Sequence, residues 1–270
     1  TYEESNEQYK KDFNKIVLKQ TLHLINQIDK IQSYEDKLIG TAAIILAGLC
    51  YNDFKNVTQK GLYHLKKIIK NYIDNYGFPK SRSIKSSIFF LKYLILIREW
   101  FKESQNEIPD FINENIFYLG QAYAFFWQNV NSDLLFNGNN KSNNNDFDIY
   151  LKRLGYSFKN DNLEFGNYII LKNKKKNLIM DVGPSPIKKF SNHYQAGALS
   201  FEFISNGKKL LTNSGYYSNK NLKLNELSKS SASHNVLTID DNSSCKFKKK
   251  KPSRIGNQRR IKNHKKKYCV

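Results

Sequence analysis

The chain has 270 residues, of which 40% are hydrophobic and 14% aromatic. Such a composition can bury a sizeable core, which excludes a wholly disordered chain. There are 44 Lys and Arg against 24 Asp and Glu, giving a net charge of +20, and five Pro and 13 Gly exclude collagen and Pro-rich linker proteins. No apolar run approaches the roughly 20 residues that a membrane helix needs.

The ends and the cysteines narrow the class of protein further. The first residue is Thr and no basic-then-apolar signal sequence follows, so we expect a fragment cut at both ends, which leaves export open. The three cysteines, Cys50, Cys245 and Cys269, are an odd number without metal-like spacing. They suggest neither a disulfide framework nor a zinc knuckle.

The first part of the chain, to about residue 130, is predicted to be helical because its apolar residues recur near helical spacing. Ser33 is the expected N-cap of the second helix, since its hydroxyl can accept from free backbone amides. Helices of about 18 residues joined by short loops form antiparallel hairpins. The predicted helices cover residues 9–28, 34–51, 54–72, 87–103 and 109–129, with a break at 75–79.

Residues 131–146 are rich in Asn, Ser and Gly and indicate a loop or domain boundary. Their apolar centre, Leu134 to Phe136, is expected to pack inward. A short amphipathic piece follows at Tyr150 to Leu154. We therefore assign residues 131–155 to a linker and a short helix.

The remaining chain, residues 156–270, contains short runs of β-forming residues separated by Gly, Asn and Pro. This spacing predicts an antiparallel sheet or sandwich. Helices first and strands second predict an α+β fold with two segregated layers rather than a βαβ repeat, with the β domain incomplete at its C-terminus. The predicted strands cover residues 166–171, 177–182, 199–204, 209–212 and 236–240.

The positive charge has two interpretations. Abundant Lys, Asn and Ile are typical of an AT-rich genome, which would say nothing of function; the alternative is an anionic partner such as nucleic acid, an acidic polysaccharide or a membrane surface. The densest basic run, residues 246–267, carries one Phe, and one Tyr follows it directly at position 268. Base-stacking surfaces need aromatic side chains among the charges, so nucleic acid is the least favoured partner.

Polar side chains gather at the ends of the predicted strands. His193, Gln195, Asn213 and His234 each lie just before or after a β run, and strand ends joined by loops are where sites are usually assembled. Histidine is the natural proton carrier near neutral pH. The alternative is that each histidine caps a strand end or binds a turn, but their clustering in one domain favours a site.

Three strings carry a family resemblance: DVGPSPIKKFSNHYQAGALSFEF, KKLLTNSGYY and SASHNVLTIDD occur in this order. They resemble the C-terminal domain of the heparinase II/III-like polysaccharide lyases, over roughly residues 131–241. More weakly, GFPKSRS at 77–83 and LFNG at 135–138 resemble that family's Gly-rich turn and inter-domain segment. The helical part would then be an incomplete α/α toroid.

The resemblance implies a lyase that cleaves acidic, uronate-containing polysaccharides by β-elimination in the periplasm or cell envelope. In the family a Tyr and a His act as base and acid, and an Asn or His neutralises the carboxylate. His193 matches the catalytic His, with Tyr194 or a toroid Tyr as its partner. Arg82 is expected to bind a substrate carboxylate or sulfate bidentately, and Asn137 to contact substrate.

Some members of the family bind a structural zinc through two His and an Asp. Here Gln195 and Asn213 occupy two of these positions, and His234 matches the third. Neutral amides are poor zinc ligands beside imidazole and carboxylate. We therefore expect no zinc and no other cofactor, but a hydrogen-bonded polar cluster of these three side chains that can orient the loop carrying His193.

The helical part departs further from the family. Its Asn-His pair would fall near Glu35 and Asp36, and its catalytic Tyr near Ser86, with Tyr76 and Tyr93 as the nearest aromatic candidates. An alternative is therefore a catalytically impaired glycan-binding or cell-envelope protein of the same fold. A nucleic-acid binder acting through the basic run is the third. The polysaccharide, endo or exo action and the oligomeric state are not determined by the sequence.

Overall fold

The helical part contains the five predicted helices with shifted ends. They are α1 (Glu7–Gln27), α2 (Tyr34–Cys50), α3 (Lys55–Tyr72), α4 (Ile84–Glu103) and α5 (Asp110–Tyr123). Helix α2 packs against α1, α3 and α4, and α4 packs against α5.

The computed structural model describes residues 2–51, 55–128, 130, 133–140, 145–217, 222–238 and 242–245.

Side-chain caps set three of the helix starts. The predicted cap of α2 is confirmed, because the Ser33 hydroxyl accepts from the Asp36 amide at 3.1 Å. Ser83 accepts from the Ser86 amide at 3.3 Å, which starts α4 three residues before the predicted Ser87. Asn6 caps α1 in the same way. Each cap satisfies an amide that the first helical turn leaves without an intrahelical partner.

The predicted break between α3 and α4 is a tight turn organised by Asp74. Its carboxylate accepts from the amides of Tyr76 and Phe78, both at 2.9 Å. Gly77 has φ +79°, a left-handed conformation that favours glycine. The turn leads into residues 81–83, where Arg82 bonds to Asn167 and Asp181 from the later part of the chain.

The last predicted helix, residues 109–129, is not one uniform helix. Helix α5 ends at Tyr123 and continues as a wider π-helical turn, Ala124–Gln128. The Tyr123 hydroxyl and the Trp127 indole donate to the two carboxylate oxygens of Asp148 at 2.6 and 2.9 Å. Asp148 belongs to α6 (Asn145–Arg153), so these bonds dock the short helix onto the helical layer.

The second part is one antiparallel sheet in sequential strand order. Helix α7 (Leu222–Lys229) follows it. The sequence analysis missed β1 and α7, and residues 236–238 of the last predicted strand form no strand; residues 239–240 and the basic run 246–267 lie outside the described residues. The strands are β1 (Glu164–Phe165), β2 (Tyr168–Lys172), β3 (Lys176–Asp181), β4 (Phe201–Ser205) and β5 (Lys208–Leu211).

One apolar core joins the two layers. Phe78 from the turn stacks on Phe126 of the π-helical turn at 5.2 Å, and Phe126 meets Tyr168 of β2 edge-on at 5.0 Å. Ile170 and Ile179, paired across β2 and β3, are buried in the same cluster. The predicted α+β architecture is confirmed, and burial of a shared face makes the layers mutually dependent.

None of the helices in the described part of the chain combines the length and apolarity that a bilayer crossing requires.

A buried ion pair fastens the layers beside this core. Arg82 and Asp181 are 6% and 1% exposed, and the guanidinium Nη2 donates to Asp181 Oδ1 at 2.5 Å. The same guanidinium donates to the carbonyls of Asn167 and Pro184 and lies 5.0 Å from the centre of the Tyr168 ring. A charge buried this deeply is tolerated only because it is paired and hydrogen-bonded.

Replacing Asp181 with Ala should therefore destabilise the fold by about 3–5 kcal/mol, because it leaves the Arg82 charge buried without its partner. Chemical denaturation of both proteins measures the difference. Asp29→Ala is the control, since that carboxylate pairs with Lys67 in an exposed ion pair. It should leave the unfolding midpoint nearly unchanged; equal losses in the two variants would contradict the role of burial.

Candidate functional site

Two inward-facing carboxylates of the sheet hold the segment that links the layers. Asp181 Oδ2 at the end of β3 accepts from Asn137 Nδ2 at 2.8 Å. Glu202 of β4, fully buried, accepts from the Leu135 amide at 3.3 Å and pairs with Lys209 at 2.8 Å. Residues 135–138 are therefore fixed against the sheet, and Leu134 to Phe136 are buried as predicted.

Gln195 extends this attachment to the neighbouring loops. The side chain is 1% exposed; its Oε1 accepts from the Gly138 amide at 3.1 Å, and its Nε2 donates to the carbonyls of Gly215 and Ser228 at 3.1 and 2.6 Å. One amide thus joins the linker, the loop after β5 and the end of α7. A buried group satisfied in this way rigidifies its surroundings.

His193 lies exposed on this fixed frame. A Cβ at Gly138 would lie 2.7 Å from the His193 Cβ, and Gly138 has φ +87°, so glycine lets the two segments approach. The imidazole ring lies 5.4 Å from the Tyr216 ring, and the Lys229 ammonium lies 5.5 Å from the centre of that ring. An imidazole, a phenol and an ammonium group therefore share one surface, which we call the His193 surface.

Tyr194 points away from this surface. Its side chain is 3% exposed, and its hydroxyl accepts from Ser185 Oγ at 3.2 Å. Burial raises the pKa of Tyr194. The phenol adjacent to His193 in the sequence is thus used inside the protein, whereas Tyr216, 23 residues later, is the one that lies beside the imidazole.

The predicted substrate-binding residues are also engaged internally. Asn137 donates to the Tyr168 hydroxyl at 2.6 Å as well as to Asp181, and the Tyr168 hydroxyl donates to the Arg82 carbonyl at 3.1 Å. Arg82 and Asn137 are 6% and 3% exposed. A direct contact of either side chain with a glycan would require these partners to be displaced.

The structure brings Gln195, Asn213 and His234 to one region. Gln195 donates to the Ser228 carbonyl, and a Cβ at Gly197 would lie 3.5 Å from the His234 ring. Asn213, 1% exposed, accepts from the Asn235 amide at 3.0 Å through its Oδ1. Burial lowers the pKa of His234 to about 4, so this imidazole is neutral at physiological pH.

A second polar cluster lies at the helical positions where the family resemblance is weak. Ser86 Oγ donates to Glu35 Oε1 at 2.5 Å, and the Tyr72 hydroxyl bonds to Glu35 at 3.3 Å and Ser81 at 2.8 Å. Burial and the nearby Glu35 charge raise the pKa of Tyr72. The phenol in this cluster, beside the Ser86 position where the family has its catalytic Tyr, is thus Tyr72, which was not predicted from the sequence.

The two tyrosines named as candidates lie elsewhere in the helical layer. Tyr76 is 78% exposed on the turn, and Tyr93 is half-buried against Phe89 of its own helix. Neither shares a described contact with the His193 surface.

The sequence analysis also missed Asp181 and Glu202, although the sequence held a signal for one of them. In Phe201–Ser205 the alternation places Glu202 on the same face as Ile204, and an inward charge in a strand indicates a specific partner. Asp181 opens the first family string but carries no comparable pattern.

Comparison with known families gives the same result as the motifs. Residues 159–268 match the family model described as Heparinase II/III-like, C-terminal. The resemblance to the heparinase II/III-like family is confirmed. No curated protein matches the chain.

Solved structures of heparinases share the fold. A heparinase III crystal structure superposes with a TM-score of 0.68 at 16% identity, covering 84% of this chain and 42% of the other. The heparan sulfate lyase HepC from Pedobacter heparinus gives 0.64 at 15% identity, with 81% and 39% covered. At such identities the likeness shows the fold alone, and the chain spans about two fifths of the length of these heparinases.

The half-buried His234, within the segment that matches this family model, should make stability depend on pH. Its folded pKa of about 4 lies below the ordinary 6.5, so its stabilising contribution is present above pH 6.5 and is lost as the pH falls toward 4. The loss is about 3 kcal/mol relative to a His234→Gln variant. Urea unfolding at several pH values between 4 and 7 measures it.

The matched control is His23→Gln, because that histidine is exposed on α1. This variant should follow the wild-type pH dependence. A His234→Gln protein that still follows the wild-type curve would show that His234 is not the source of the dependence.

Proposed function

We propose that the chain is part of a polysaccharide lyase that cleaves uronate-containing polysaccharides by β-elimination. The observation that carries the proposal is the exposed imidazole of His193 beside the Tyr216 ring, within the segment that matches the heparinase II/III-like model. The likeness of its fold to a heparinase III structure, over 84% of this chain, supports it. Such an enzyme acts in the periplasm or cell envelope, as the family resemblance implies.

The reaction needs a base, an acid and a positive charge, and the His193 surface offers all three. His193 takes the proton from the carbon next to the uronate carboxylate, because imidazole is a base near neutral pH. The electron pair left on carbon forms the double bond, and the adjacent carbon–oxygen glycosidic bond breaks. The leaving oxygen takes the hydroxyl proton of Tyr216, so no water is consumed.

The Lys229 ammonium supplies the charge in this proposal. Lys229 is the last residue of α7, and its ammonium lies 5.5 Å from the centre of the Tyr216 ring. A cation beside the uronate carboxylate makes the neighbouring proton more acidic by stabilising the negative charge that develops as the proton leaves. Gln195 acts as a positioning residue, since it holds the Gly138 backbone beneath His193.

The rate of formation of the unsaturated product tests these roles. The full-length protein is incubated with uronate polymers, including heparan sulfate, and the ultraviolet absorbance of the product is followed. His193→Ala and Tyr216→Phe should each lower the rate about 10²- to 10⁴-fold, because each removes a general base or acid. Tyr194→Phe is the matched control and should leave the rate nearly unchanged.

Two outcomes would contradict the assignment. If Tyr216→Phe retains the wild-type rate while Tyr194→Phe does not, the acid is Tyr194. If no uronate polymer gives product and His193→Ala makes no difference, the catalytic proposal fails.

A specific observation favours a second candidate, a glycan-binding protein without turnover. Glu35, where the family has an Asn-His pair, is a carboxylate bonded to Ser86 and Tyr72, and it would repel a uronate there. Binding of an acidic glycan without absorbance change, weakened by Lys229→Ala, would identify this function. The two candidates thus share the surface and differ only in turnover.

A further inference from the structure

The structure provides a test of whether the heparinase II/III-like domain of this chain can hold the zinc that some family members bind. The three positions are Gln195, Asn213 and His234. An amide can approach a metal ion only through its oxygen, because the NH₂ group points hydrogen atoms outward. The fit therefore depends on where each amide oxygen points.

Both amide oxygens are already committed to backbone amides. Gln195 Oε1 accepts from the Gly138 N–H at 3.1 Å, and Asn213 Oδ1 accepts from the Asn235 N–H at 3.0 Å. These bonds fix the orientation of the two side chains. Gln195 Nε2 also donates to two carbonyls, so its amide is held at both ends.

What remains is a donor and a single nitrogen acceptor. Asn213 Nδ2 and His234 Nε2 are buried and lack a hydrogen-bond partner among the described residues. The Asn213 group presents hydrogen atoms, which repel a cation, and only the His234 nitrogen could bind one. No group of three or more His, Cys, Asp or Glu with metal-site geometry occurs in the described part of the chain.

We propose that this chain has replaced the metal cross-link of the fold by a hydrogen-bonded amide cross-link. Gln195 joins the linker at Gly138 to the loops at Gly215 and Ser228 by three hydrogen bonds. The domain is then stable without metal and indifferent to chelators. Structural zinc, by contrast, contributes folding free energy that chelation removes.

Metal content and thermal unfolding test the proposal, independently of any catalytic activity. The full chain is incubated with excess zinc, desalted and analysed by elemental mass spectrometry, and its melting temperature is measured with and without EDTA. We expect no stoichiometric zinc and the same melting temperature in both conditions. About one tightly held zinc per chain, or a melting temperature lowered by EDTA, would overturn the proposal.

A gain-of-function variant tests the geometric argument. Gln195→His with Asn213→Asp supplies two further ligands beside His234 and should bind about one zinc, with a melting temperature that zinc raises. Adding His234→Ala to this double variant is the matched control and should abolish the zinc effect. A folded double variant that holds no zinc would overturn the claim that the amides alone exclude the metal.

The double variant loses the bonds of Gln195 and could fail to fold without metal. Asn213→Asp alone keeps Gln195 and serves as the second variant. It should remain folded by circular dichroism and bind zinc weakly, through the carboxylate and His234, where wild type binds none. Equal zinc binding by wild type and this variant would contradict the proposal.

Discussion

The carboxylate of Asp181 is the contact on which the arrangement of this protein depends. One of its oxygens binds the Arg82 guanidinium from the helical layer, and the other binds Asn137 from the linker. Three parts of the chain, 99 and 44 residues apart, therefore meet at one buried charge. Because an unpaired buried charge is very unfavourable, the helical layer, the linker and the sheet can adopt only arrangements that keep these bonds.

The candidate site follows from this constraint. Asn137 is followed by Gly138, and the amide of Gly138 is held by Gln195 while its missing side chain makes room for His193. The imidazole is thus carried by a rigid frame although it is itself exposed. Arg82 and Asn137, predicted from the sequence to bind substrate, both bind the Asp181 carboxylate in this frame.

How far the sequence predicts this protein depends on the range of the interactions involved. The helix α2 cap at Ser33 and the break at residues 75–79 were predictable, because caps and turns depend on residues within a few positions. The two-residue strand β1 was missed, because it forms only by pairing with β2 and has no pattern of its own.

The sequence by itself determined the fold class and the family resemblance, since hydrophobic periodicity and three ordered strings are local properties of the chain. The tertiary structure alone decided which tyrosine accompanies His193: Tyr194 is its neighbour in sequence, but its ring turns into the core, and Tyr216 arrives from a later loop. It also decided the partner of Arg82, because whether a guanidinium meets solvent or a buried carboxylate depends on chain segments that only folding brings together.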